Sequence, residues 1–125
     1  MKNNNLFAAL RAAFPADLAR TAIETADGPP LHYTWRDLDR GSAMLANLLA
    51  SLQLPAGARV AVQTEKSVEA LMLYLAVLRA GYVYLPLNTA YQAGEIEYFI
   101  GNAEPGVVVC SGKNFGWVSK IAFRA

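Results

Sequence analysis

The sequence predicts an α/β fold, in which an open and mostly parallel sheet carries helices on its faces in the order β-α-β-α-β. Short runs rich in β-branched or aromatic residues occupy positions 59–63, 82–85 and 107–110, and such runs are typical of strands. Helical patterns separate the three runs, and strands that alternate with helices form parallel sheets. The run at 107–110 is apolar throughout, which predicts a buried central strand.

Two helices and a hairpin are predicted before this sheet. A short amphipathic helix that ends at Pro15 is indicated by apolar residues at helical spacing, namely Leu6, Phe7, Leu10 and Phe14. Residues 21–24 and 31–33 flank a turn-forming cluster at 27–30, which predicts an antiparallel hairpin. Thr34 and Asp37 then form a variant capping box that starts the next helix. The apolar stripe of that helix consists of Leu38, Leu45, Leu48, Leu49 and Leu52.

The helix between the first two parallel strands has the clearest start and stop signals. Ser67 is placed to cap its first turn, Glu69 lies in that turn, and Arg79 lies in the last turn. The helix dipole favours an anion at the first position and a cation at the second. Gly81 follows, and glycine reaches the left-handed conformation that ends many helices without steric cost. Because nearly every residue in between is apolar, we expect a helix buried almost all round.

The last part of the chain repeats the alternation of helix and strand. Residues 95–100 predict a helix with Ile96, Phe99 and Ile100 on one face, and residues 101–102 are expected to cap it. Residues 113–125 predict another helix, whose apolar face holds Phe115, Val118 and Ile121 or Ala122. No turn signal follows this pattern. Residues 1–125 are therefore expected to be an incomplete subdomain of a longer polypeptide.

Composition excludes several classes of protein. The net charge is +1 and acidic and basic residues are interspersed, so no basic face for nucleic acid is predicted. Cys110 is the only cysteine, which leaves no internal disulfide and no cysteine-based metal site. No apolar stretch approaches the roughly 20 residues of a membrane span. We expect a soluble, cytoplasmic protein without a metal site of its own.

No catalytic motif is found in the sequence. Residues 101–106 have the glycine spacing of a phosphate-binding loop but lack the Lys and Ser or Thr that should follow, so they predict a turn. His32 has no ligand-spaced partner and is expected to be a half-buried strand residue. Cys110 ends an apolar strand and is expected to be a small core residue.

Polar residues do follow the first two parallel strands, where ligands bind in open α/β sheets. Glu65 and Lys66 come after the first strand, and Asn88, Thr89 and Tyr91 come after the second. These five residues are the candidates for a ligand-binding cleft. The alternative is that they form only a solvated loop and a turn.

The sequence also resembles a known family. The segments Thr34-Trp-Arg-Asp-Leu38, Gly57-Ala-Arg-Val-Ala61 and Leu78-Arg-Ala-Gly-Tyr-Val-Tyr-Leu-Pro-Leu-Asn88 are similar in order and spacing to the amino-terminal part of AMP-forming acyl-CoA synthetases. A narrower resemblance, to malonyl-CoA synthetases, rests on residues 63–71, 85–91, 98–100 and 103–105. The likeness covers nearly the whole chain.

The resemblance implies a larger amino-terminal domain and a two-step ligase that uses ATP, Mg²⁺ and coenzyme A. A carboxylic acid, with malonate favoured, would form an acyl-adenylate and then a CoA thioester. The catalytic motifs of the family lie after the region matched here, so no catalytic residue is carried over and the chain alone is expected to be inactive. The family's pantetheine tunnel runs near the segment that matches Leu87-Asn88-Thr89. The alternatives are a medium-chain or aryl acid CoA ligase, or a stand-alone α/β interaction module.

Overall fold

The computed structural model describes residues 5–26 and 28–124 and has the predicted mixed α/β architecture. Five strands and five helices follow one another along this part of the chain. They are α1 (Leu6–Ala12), β1 (Thr21–Glu24), β2 (His32–Thr34), α2 (Trp35–Ser51), β3 (Arg59–Gln63), α3 (Val68–Arg79), β4 (Val83–Pro86), α4 (Ala93–Ala103), β5 (Val107–Cys110) and α5 (Phe115–Arg124).

The sheet that organises the fold has three parallel strands in the order β4-β3-β5. The central strand is therefore β3, whose residues Val60 and Ala61 are fully buried. The expectation that residues 107–110 form the central strand was wrong. These residues pair only with β3 among the described strands and are half-buried, because an apolar run indicates burial but does not give a strand's position in the sheet.

The two faces of the sheet carry separate cores. Val60 and Val62 pack on one face against α2 and α3, while Ala61 packs on the other against α4 and α5. Successive strand residues point to opposite faces, so each of the three strands contributes to both cores, and β3 contributes the most deeply buried residues. Ile96, which is fully buried in α4, is the largest completely buried side chain of the second core.

The predicted signals of α3 are confirmed, but its burial is lower than expected. The Ser67 hydroxyl accepts a hydrogen bond from the Ala70 amide at 3.0 Å, and Gly81 has φ +84° after the last turn. Only Leu75, Ala76 and Val77 are buried, whereas Leu71 is exposed. The sheet packs against Ala76 and Val77, and the α1 and α2 helices pack against other parts of α3, but none of these elements buries Leu71.

The amino-terminal elements also follow the sequence signals. Strands β1 and β2 form the antiparallel hairpin, although residue 27 of the predicted turn lies outside the described residues. Thr34 and Asp37 form both hydrogen bonds of the capping box, at 3.1 and 2.8 Å. Asp39 of α2 then binds Arg79 of α3 at 2.9 Å and Arg11 of α1 at 3.3 Å, which connects the three helices.

Some residues depart from their expected positions. Helix α4 runs through residues 101–102 and ends at Ala103, because Glu104 rather than a glycine takes the left-handed conformation, with φ +47°. His32 is exposed, 3.9 Å from Glu24, instead of half-buried. Four further apolar residues that were expected on apolar helix faces are exposed: Leu6, Leu48, Leu52 and Phe115. Helical periodicity identifies a face, but burial requires an element to cover that face.

Candidate functional site

A cleft opens where the β3 and β4 strands end side by side. The connection from β3 leads to α3 on one face of the sheet, and the connection from β4 leads to α4 on the opposite face. Neighbouring strands whose connections diverge in this way leave a crevice at their carboxyl ends, which is the usual ligand site of open α/β sheets. The strand connections alone therefore indicate this edge of the sheet as the candidate ligand site.

The cleft has a volume of about 680 Å³. It is lined by Thr64, Glu65, Lys66, Pro86, Leu87, Asn88, Thr89 and Tyr91. All five residues that the sequence identified as ligand-binding candidates lie on this one surface. Their part in binding stays a prediction.

The loop after β4, residues 88–91, has a well-defined backbone conformation. The Asn88 side-chain oxygen accepts a hydrogen bond from the Ala90 amide at 2.9 Å, and the Asn88 carbonyl accepts one from the Tyr91 amide at 3.0 Å. The Tyr91 ring stacks on Phe99 of α4, with centroids 5.0 Å apart and planes at 21°. This turn leaves Asn88 and Thr89 exposed at the mouth of the cleft.

The other wall is the short connection from β3 to α3. Glu65 and Lys66 are exposed there, immediately before the Ser67 cap of α3. The cleft thus presents a carboxylate and an ammonium group on one side and amide, hydroxyl and phenol groups on the other. Such a mixed surface suits a ligand with both polar and apolar parts. None of its lining residues is a glycine, so it has no glycine-rich loop of the kind that holds a triphosphate.

Gln63 was not singled out from the sequence, although it lies beneath this cleft. Its side chain is 1% exposed, and its amide nitrogen donates to the Asn88 carbonyl at 3.1 Å and to the Tyr91 carbonyl at 3.5 Å. The available signal was a polar residue that ends the strand Arg59–Gln63 after three apolar residues. That pattern also fits an ordinary strand end, so only the contacts identify it.

The remaining chemical candidates do not form a catalytic site. Burial raises the pKa of the Cys110 thiol, and a thiol that stays protonated is a poor nucleophile. Among residues 5–26 and 28–124, no three His, Cys, Asp or Glu side chains are grouped so that they could hold a metal ion. Within the same residues, no helix is long and apolar enough to cross a membrane.

Two other grooves are mainly apolar. One lies between α1, the hairpin and α3, and the other lies between α2 and β5, where Leu48 and Leu52 are exposed. The first has no charged lining residue, and the second has only Glu69. Neither groove offers a cation that could bind a carboxylate or phosphate. The cleft after β3 and β4 is therefore the better candidate.

Comparison with known proteins gives consistent matches in sequence and structure. The family model for "AMP-binding enzyme" matches residues 11–122. MatB from Rhodopseudomonas palustris, solved in apo and ATP-bound forms, is 48% identical, with a TM-score of 0.89 over 98% of this chain and 24% of that one. An acyl-CoA synthetase from Brucella canis is 28% identical, with a TM-score of 0.77 over 85% of this chain and 20% of that one.

A curated relative comes from a different class of enzyme. The non-ribosomal peptide synthetase CmlP of Streptomyces venezuelae is 35% identical over 91 residues, which are 73% of this chain and 9% of that protein. The chain thus spans about a quarter of MatB and less than a tenth of CmlP.

Proposed function

This chain belongs to the AMP-binding enzyme family, and on that premise we propose that it is the amino-terminal part of a malonyl-CoA synthetase. The parent enzyme would convert malonate, ATP and coenzyme A to malonyl-CoA, AMP and pyrophosphate. The observation that carries this proposal is the similarity to MatB, at 48% identity over 98% of the chain. Residues 1–125 would then be an incomplete subdomain of the larger amino-terminal domain.

The proposed reaction has two displacement steps. A carboxylate oxygen of malonate attacks the α-phosphorus of ATP, so that the bond to pyrophosphate breaks and malonyl-adenylate forms. The thiol of coenzyme A then loses its proton and attacks the acyl carbon, and AMP leaves with the electron pair of the broken bond. Each step needs groups that stabilise negative charge on phosphate or on the acyl oxygen.

The residues that line the cleft do not fit the triphosphate, because they include no glycine-rich phosphate loop. Mg²⁺ is bound mainly through the substrate phosphates, with one or two carboxylates beside them. We therefore assign the phosphates and the metal to parts of the parent outside this chain. The chain alone is accordingly expected to be inactive.

The part that we assign to this chain is one wall of the channel for the acid or for coenzyme A. The exposed Asn88 and Thr89 carry amide and hydroxyl groups, which suit the two amides of the pantetheine arm. Tyr91 adds a ring that is already ordered against Phe99, so it needs little further ordering when a ligand binds. The family resemblance implies a pantetheine tunnel only near the segment Leu87-Asn88-Thr89. The role proposed for Tyr91 depends instead on its position in the lining of the cleft.

The decisive first experiment is to sequence the coding DNA beyond the codon for Ala125. We expect an open frame that continues into a loop rich in Ser, Thr and Gly and ending in Lys. A stop codon at this point, with the short product intact in cells, would favour a stand-alone interaction module instead.

The activity test uses that longer protein. With ATP, Mg²⁺ and coenzyme A, malonate should give pyrophosphate and malonyl-CoA in equal amounts. The kcat/KM for malonate should exceed the values for medium-chain and aryl acids. If the protein prefers one of those acids, the assignment as an acyl-CoA ligase would stand, but the assignment of malonate as its substrate would be rejected. The isolated chain of 125 residues is the matched control, and pyrophosphate above the buffer background from it would contradict the expected inactivity.

The similarity to CmlP supports a second candidate, an adenylation domain of a peptide synthetase. Such a domain would activate an amino acid and would not need coenzyme A. The lower identity and smaller coverage than for MatB make this the weaker candidate. Pyrophosphate exchange with a panel of amino acids separates the two, because a malonyl-CoA synthetase should show none.

A further inference from the structure

We propose that Gln63 is a positioning residue that fixes the loop at residues 88–91 on the wall of the cleft. The proposal concerns the conformation of that loop, and only its kinetic consequence rests on the proposed function. Gln63 does not line the cleft itself. It would act through Asn88 and Tyr91, the two lining residues whose carbonyl groups it contacts.

The geometry makes Gln63 a bridge from the rigid sheet to the loop. It is the last residue of the central strand, and its carbonyl oxygen accepts a hydrogen bond from the Ser111 amide after β5. Val62, immediately before it, accepts at its carbonyl from the Leu87 amide at 2.8 Å. The backbone of Gln63 is thereby held at the end of the ladder, while its side chain reaches residues 25 and 28 positions later in sequence.

The contacts require an amide nitrogen at this position. Two carbonyl oxygens, from Asn88 and Tyr91, face the Gln63 nitrogen, so the reversed amide would place an oxygen against two oxygens. A methionine would fill a similar volume but would donate no hydrogen bond. The Asn88 carbonyl would still accept from the Tyr91 amide, so the turn would keep its internal bond and lose its connection to the sheet.

The oxygen of the Gln63 side-chain amide allows the effect of Gln63 on the loop to be distinguished from its effect on the stability of the fold. The Gln63 oxygen is buried and has no hydrogen-bond partner among the described residues, and a buried acceptor without a donor is destabilising. Replacement by methionine removes both this acceptor and the two donated bonds. The two effects oppose each other, so overall stability should change little while the loop loses its attachment.

The test compares hydrogen exchange in the longer parent protein and in its Gln63→Met variant. Loss of a net hydrogen bond predicts an increase of about two- to tenfold in amide exchange at residues 88–91, with the exchange of β3 and α3 unchanged. Gln53→Met is the matched control, because Gln53 is exposed after α2 and away from the cleft. Unchanged loop exchange in the Gln63→Met variant, or an equal increase throughout the sheet, would overturn the proposal.

A second variant and a kinetic measurement complete the test. Gln63→Asn keeps the amide on a shorter side chain that no longer reaches the loop, so it should release the same residues. If neither variant folds, Gln63 is required for the fold and the positioning role is rejected. With malonate as substrate, the KM for coenzyme A should rise about as much as loop exchange does, while kcat stays within about twofold. A wild-type parent that does not use malonate would reject the proposed function but leave the exchange test intact.

Discussion

Asp39→Asn is expected to loosen the α1 helix from the rest of the fold. The Asp39 carboxylate lies 2.9 Å from the Arg79 guanidinium and 3.3 Å from that of Arg11. Arg79 also donates to the Ser42 hydroxyl at 3.3 Å and lies over the Phe7 ring, 4.6 Å from its centroid. The substitution preserves the shape of the side chain and removes the charge that both arginines share.

The magnitude follows from the exposure of the three side chains. Asp39 and Arg79 are 25% and 32% exposed, so their hydrogen bond is partly protected from water. Arg11 is 37% exposed, so its pair with Asp39 is worth only a few tenths of a kcal/mol. The Arg79 pair joins α2 to α3 and acts on α1 only by holding Arg79 over the Phe7 ring. The Arg11 pair and this cation–π contact together predict a loss of about 1 kcal/mol in the local stability of α1, or about a fivefold change in its opening equilibrium.

The pH dependence has a definite sign. Burial alone would raise the pKa of Asp39, but the hydrogen bonds and charges of Arg79 and Arg11 outweigh it and hold that pKa below its usual value. A carboxylate with a lowered folded pKa stabilises the fold at any pH above the unfolded value, about 3.9 for Asp. The stabilisation is lost as the pH falls through the folded pKa. The effect of Asp39→Asn should therefore be constant between pH 7 and pH 5 and should decrease below about pH 4.

Hydrogen exchange of the α1 amides measures this effect in the longer parent protein. Wild type and variant are compared at the same pH, so that the intrinsic exchange chemistry cancels. Glu97→Gln is the control, since Glu97 is an exposed acid on α4. Unchanged α1 exchange in the Asp39→Asn variant, or an effect that disappears already between pH 7 and pH 5, would contradict this prediction.

Three further predictions concern packing and reactivity. Leu48 and Leu52 are 59% and 49% exposed, so the isolated chain should associate through them, and replacing both by serine should reduce its sedimentation coefficient. A wild-type chain that is a monodisperse monomer with a cooperative melt would contradict this. Ile96→Ala should lower the free energy of unfolding in urea by about 2–5 kcal/mol, whereas Glu97→Ala on the exposed side of α4 should change it by less than about 0.5 kcal/mol. Equal effects of the two substitutions would contradict the burial of Ile96 in the core. Cys110 should react with iodoacetamide at pH 7 more slowly than free cysteine, because burial raises its pKa; a faster reaction would show an activated thiol.

Local signals predicted the elements of this fold well. The Thr34–Asp37 capping box, the Ser67 cap and the glycine at 81 are all observed where the sequence placed them. Each depends on residues within a few positions of one another, whose chemistry is fully visible in the sequence. The end of α4 at Glu104 was missed, because a non-glycine residue in the left-handed conformation is an exception to the local preference.

The edge of the sheet at which the cleft opens was also predictable, because parallel strands place their carboxyl ends, and the polar loops that follow them, at the same edge. The part played by Gln63 was not, since its two acceptors lie 25 and 28 residues later in the sequence. A pattern within one strand cannot show which distant carbonyl groups will face a side chain.

Local chemistry and motif order were enough to predict the alternation of strands and helices, the amino-terminal caps of α2 and α3 and the resemblance to adenylate-forming ligases. Three features became visible only in the folded chain: β3 rather than β5 is central, Leu48 and Leu52 are exposed, and Gln63 connects the sheet to the loop after β4. These features depend on which elements meet in space. Burial and hydrogen bonding over long separations arise only when the chain has folded.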